Sequence, residues 1–178
     1  MRESKTIDAI KRAPIENNVP GWTVTTTFAV GGLEAVGFDE RNGELLVVSS
    51  QGQGIIDPTS GRRLFRDANS HGYDHKRLQA NRGDQPEAPP VRMAGIHGGH
   101  LRTVNDDGWT IEKVVLEWPK ARLVLCEPNV HLSPFKKPPK SGWFVLGEGT
   151  EFKVWGFSHT GSVLIWSDEV DISVLRKD

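Results

Sequence analysis

The chain has 178 residues, of which 37% are apolar and 25% charged, with 22 basic and 23 acidic side chains. That length suits a single domain, residues 1–178. The cancelling charges remove the bulk attraction that draws proteins to nucleic acid or to an anionic bilayer, so neither is expected as a partner. No apolar run approaches the roughly 20 residues of a membrane span. The start "MRESKTIDAIKRAPIENN" has no secretory apolar stretch. The one cysteine, Cys126, leaves no internal disulfide, and a cytoplasmic location is the expectation.

Residues 1–20 read as a short helix and a lead-in. Ile7 and Ile10 lie three apart, Ser4 is placed to cap the first turn, and Pro14 ends the helix because its ring clashes with the preceding turn. Beyond that point the pattern is that of strands. Residues 22–66 form a first meander: "WTVTTTFAV" is rich in β-branched residues, and "LEAVGFD", "ELLVVSS", "GQGIIDP" and "RRLFR" follow. Asn42-Gly43 supplies a hairpin turn, and Asp57-Pro58-Thr59-Ser60-Gly61 supplies another with proline at its first central position.

Residues 67–90 are polar and full of turn formers, a long loop of the kind that is functional or mobile. A middle β segment, 91–128, turns at Asp106-Asp107-Gly108 and again at Pro119-Lys120. A proline- and lysine-rich loop, 131–142, precedes a C-terminal meander, 143–178, with turns at Ser158–Gly161 and Ser167-Asp168-Glu169. Aligning Val36-Gly37-Phe38-Asp39 with Trp155-Gly156-Phe157-Ser158 brings Glu44–Val47 onto Ser162–Ile165, and residues 100–128 are a weaker third copy.

"GFDERNGELLVVSSQGQGIIDPTSGRRLFR" and "GFSHTGSVLIWSDEVDISVLR" resemble blades of WD-repeat and quinoprotein-type β-propellers, and the whole chain resembles uncharacterised bacterial β-propeller-like proteins with two such blocks around a Gly-Gly loop and an Asp-Gly-Trp turn. The resemblance covers about 70 residues and lacks the Trp-Asp dipeptide; Trp166-Ser167-Asp168 only comes near it. It implies an all-β fold of antiparallel meanders, two clear and one weak. A closed propeller needs roughly four to eight blades. The expected architecture is therefore an incomplete propeller, a sandwich or a half-barrel, with a short N-terminal helix.

Candidate chemistry is sparse. His71, Asp74 and His75 lie within five residues, with His97 and His100 beyond the long loop, and imidazoles with a carboxylate are suitable zinc ligands. No helix is expected there to align them, and the spacing is not H-E-x-x-H. No G-x-S-x-G elbow exists, and Cys126 in "RLVLCEP" reads as core. Gly52-Gln53-Gly54, Gly95–Gly99 and Gly147-Glu148-Gly149 complete no phosphate-binding fingerprint and read as turns, as do the acid pairs Asp106-Asp107 and Asp168-Glu169. Lys136, Lys137 and Lys140 beside Phe135 make too small a footprint for nucleic acid. The six tryptophans read as packing residues, with one or two free to anchor a partner.

No catalytic, cofactor-binding or metal-binding residue is therefore assigned, and no cofactor is expected. The favoured reading is a non-enzymatic protein-binding module, an adaptor or toxin antagonist, meeting another protein through residues 67–100 or 131–142. The alternative is a metal-binding protein or metal-dependent hydrolase using His71, His75, His97 and His100.

Overall fold

Two strands, Leu45–Ser49 and Val163–Ser167, are buried at every position. Successive side chains of a strand point to opposite faces, so a strand with no exposed position must be covered on both sides. That requirement organises the molecule. The computed structural model describes residues 4–69, 72–96, 99–168 and 170–178, and within them antiparallel sheets lie one upon another.

The chain opens with α1 (Lys5–Arg12), capped by Ser4, whose hydroxyl accepts from the Ile7 amide, and ended at Ala13 before Pro14. Then come β1 (Trp22–Ala29), β2 (Leu33–Phe38), β3 (Leu45–Ser49), β4 (Gly52–Ile56) and β5 (Arg63–Asp67). Short strands follow: β6 (Tyr73–Asp74), β7 (Gln79–Ala80), β8 (Val91–Arg92) and β9 (Ala94–Gly95). The last six are β10 (Thr110–Glu117), β11 (Lys120–Cys126), β12 (Trp143–Gly149), β13 (Val154–Phe157), β14 (Val163–Ser167) and β15 (Asp171–Lys177). They pair in the orders β6-β7-β8 (sheet I), β5-β4-β3-β2-β9 (sheet II), β1-β15-β14-β13 (sheet III) and β10-β11-β12 (sheet IV).

The alternation along each strand assigns the layers. In β3, Leu46 and Val48 pack with Tyr73 and Val91 of sheet I and with Met93 just beyond it, whereas Leu45 and Val47 pack with Val163, Ile165 and Ile172 of sheet III. In β14, Val163 and Ile165 face sheet II, whereas Leu164 and Trp166 face Ile111, Leu123 and Leu125 of sheet IV. Sheet IV turns Val124, Cys126 and Val145 towards Ile10 of α1. The order of layers is therefore sheet I, sheet II, sheet III, sheet IV, helix.

The all-β expectation with one short helix holds, and no sheet closes into a barrel. No helix among the described residues is long and apolar enough to cross a membrane.

Three segments pair differently from their grouping in the sequence. β1, which lies beside the first meander in the chain, pairs with β15 through seven residues, from Trp22 opposite Lys177 to Ala29 opposite Asp171. Residues 67–90 carry β6 and β7. The middle segment 91–128 is shared among sheets I, II and IV.

The aligned repeats correspond in space, since β2-β3-β4 and β13-β14-β15 are both antiparallel meanders. In each, the glycine before the phenylalanine admits a crossing segment. A Cβ on Gly37 would lie 2.3 Å from the Arg92 carbonyl oxygen, and one on Gly156 (φ +147°) would lie 2.7 Å from that of Arg102. The same crossing segment thus lies against β2 through β9 and against β13 through the Arg102–Phe157 bridge.

Candidate functional site

A cavity of about 580 Å³ opens between β2 and β13, the first strands of the two repeats. Phe38 and Phe157, the aromatic residues of the paired Gly-Phe dipeptides, contribute to its walls, with Glu40, Arg92, Arg102 and His159 around them. Arg102 is already engaged: its Nη1 donates to the His159 carbonyl at 2.7 Å and its Nη2 to Asp106 at 2.5 Å. The His159 Nδ1 lies 3.8 Å from a Glu40 carboxylate oxygen. Arg92 is exposed and makes no ion pair among the described residues. Neighbouring cavities of about 360 and 390 Å³ share Leu101 and Thr103, or Phe38 and Glu40, with the first, so the three form one grooved edge of mixed charge over aromatic walls.

A buried ionic cluster holds one side of this region. The Arg82 side chain is 2% exposed, and its nitrogens reach Asp39 at 2.9 Å, Glu44 at 2.6 Å and Asp84 at 2.8 Å. Asp39, itself 4% exposed, also receives Arg41 at 2.9 and 2.5 Å. These hydrogen bonds, those from Arg41 first, hold the Asp39 carboxyl well below the usual carboxylate range, and Arg82 does the same for Asp84. Beside the cluster the Gln53 side chain donates to the Asn81 carbonyl at 2.8 Å and accepts from the Gly83 amide at 2.7 Å. The second half of the polar 67–90 segment is thus fastened to sheet II.

No protein-family model matches the chain, and no curated protein or solved structure is significantly similar to it. Its chemistry rests on its own geometry.

The candidate metal residues are dispersed. His71 and His97 lie outside the described residues, as does Glu169. The Asp74 carboxylate accepts the amides of Lys76 and Arg77 and serves a turn, while His75 packs edge-on to Tyr73 with ring centres 4.5 Å apart. His100 is exposed at the groove. Among the described residues no three His, Cys, Asp or Glu side chains gather as a ligand group.

Asp106 pairs with Arg102, Asp107 with Lys177, and Asp168 accepts the amides of Val170 and Asp171. Cys126 is buried, which pushes its thiol up to about 12 and leaves it protonated at neutral pH. Of the tryptophans, Trp22 and Trp166 are core, while Trp118 at the β10–β11 turn is 86% exposed.

Apart from His100, which the sequence offered as a metal ligand, the groove residues were not singled out as a site. The available signal was the Gly-Phe pair common to both repeats, because a glycine needed for close approach marks where another chain segment crosses.

The 131–142 loop is held firmly. The Ser4 hydroxyl donates to the Pro134 carbonyl at 2.7 Å, and the Thr6 hydroxyl lies 2.8 and 2.7 Å from the carbonyls of Ser133 and Lys136. The Trp143 indole donates to Pro139 at 2.9 Å. Phe135, between these anchors, is 95% exposed.

Proposed function

We propose that this chain is a non-enzymatic, cytoplasmic protein-binding module, and that the loop 131–142 is its principal contact. The observation that carries this is the rigid display of Phe135. Its backbone neighbours are tied to α1 and β12, yet its ring meets almost nothing of its own chain. A loop whose backbone is already anchored loses little conformational entropy on binding, and exposed aromatic groups anchor interfaces. Lys136, Lys137 and Lys140 surround the ring with positive charge, which favours an acidic partner surface around an apolar pocket. The resemblance of its two meanders to propeller blades supports the same reading by analogy, since such scaffolds present loops to other macromolecules.

Quantitative affinity capture from the source cells, with wild type and Phe135→Ala run in parallel, tests this. The expected outcome is one protein enriched by wild type and reduced at least tenfold with Phe135→Ala, about 1.4 kcal/mol. Equal recovery with both baits contradicts it.

A further inference from the structure

A smaller cavity, about 140 Å³, lies apart from the groove, between β4 and the end of β1. Its floor is apolar: Val47 and Ile56 of sheet II, with the half-buried Phe28 as a wall. Its rim carries two guanidinium groups of β5. Arg66 stands opposite Gly54, and Arg63 opposite Ile56. A bulge displaces Leu64 and places both arginines on the face that lines the cavity. The side chain of neither arginine makes an ion pair or hydrogen bond among the described residues.

One glycine of the lining, Gly54, stands out. Gly54 pairs with Val47 on one side and Arg66 on the other, in the middle of a sheet. Glycine there costs about 0.5–1 kcal/mol relative to alanine. Other glycines of the chain have an evident cause. Gly52 has φ +106° and the Asp67 carbonyl oxygen 2.0 Å from where a Cβ would stand, and Gly37 has the Arg92 carbonyl at 2.3 Å. Gly54 has neither a positive φ nor any atom closer than 3.8 Å to that position. The backbone accepts a side chain at residue 54, and what its absence preserves is the space beneath the two arginines.

We propose that this cavity binds a small carboxylate with a short branched apolar tail. The planar guanidinium fork matches a carboxylate, and the hydrocarbon floor suits an aliphatic tail and not a bare inorganic anion. The volume corresponds to roughly five water-sized groups, enough for a branched tail of four carbons with the carboxylate at the rim. The same chemistry is presented by a free short-chain acid and by the C-terminal residue of a peptide ending in valine or leucine.

Isovalerate, isovaleramide, acetate and the N-acetylated tripeptide Ala-Ala-Val, with its C-terminus free or amidated, are titrated into the full-length protein and followed by backbone amide shifts. Isovalerate or the free tripeptide is expected to move Gly31, Gly52 and Gly54, with the neutral amides and acetate at least tenfold weaker. Whichever of the two acids binds more tightly identifies the source. Gly54→Val fills the space and abolishes the shifts, and the Arg63→Gln, Arg66→Gln pair, at two exposed positions, weakens binding about tenfold or more even if Gly54→Val fails to fold. No response to either acid, an equal response to the neutral amides, or binding unchanged in these variants overturns the assignment.

Discussion

Arg82 governs the energetics of the polar side of the molecule. A guanidinium this deeply buried is tolerable because its nitrogens face three carboxylates, and Asp39 is in turn held by Arg41. Removing one partner leaves an uncompensated charge. Arg82→Met is expected to lower the unfolding free energy by about 3–5 kcal/mol in urea denaturation; a loss under about 1 kcal/mol would show that the cluster is solvated. The cluster also sets the acid limb of stability. Asp39 and Asp84 have folded pKa values below their unfolded ones, so the unfolded chain takes up protons first. Their stabilisation is complete above the ordinary carboxylate pKa of about 4 and is lost as the pH falls through the lower folded values. Unfolding free energy against pH should therefore drop steeply below about pH 4 in wild type and less steeply in Asp39→Asn. Identical slopes would remove Asp39 from the account. Nothing in the sequence announced Arg82, because one arginine in a polar, turn-rich stretch looks solvated until the fold brings Asp39 and Glu44 to it.

At the scale of elements, legibility followed the range of the interactions. The Ser4 cap, the stop at Pro14, and the turns at Asn42-Gly43, Asp57–Gly61 and Ser158–Gly161 are set within a few residues, and each stands where its residues indicate. Pairing between strands far apart in the chain depends on distant residues, and there the sequence was silent. The transfer of β1 to β15 spans almost the whole chain, and the two-residue strands of sheet I are too short to carry a period. The candidate site was hidden for the same reason, since Arg92, Arg102 and His159 meet only once the crossing segment is in place.

The crossing gives a test within this scale. Gly37→Ala forces a Cβ into the Arg92 backbone and should destabilise by about 1–3 kcal/mol. Gly54→Ala, also mid-strand but unobstructed, should be neutral or stabilising by about 0.5 kcal/mol. Equal effects would place the Arg92 backbone elsewhere.

For the whole molecule, stacking resolves a problem of supply. Two repeated meanders are too few for a ring of blades, and an isolated antiparallel sheet leaves an apolar face to water. Here the central strands of sheets II and III are covered on both faces, and the outer faces of the stack are finished by small or mixed elements: sheet I at one end, α1 at the other. The unbroken runs "LLVV" and "VLIW" are the sequence's record of that arrangement, because a strand with one solvated face would alternate apolar and polar residues.

Amide hydrogen exchange at single-residue resolution tests this layering most directly. Amides of β3 and β14 should be the slowest in the chain, opening only with global unfolding, and those of the edge strands β5 and β10 should exchange orders of magnitude faster. Exchange in β3 or β14 as fast as in β5 would contradict the claim that these strands lie in sheets covered on both faces.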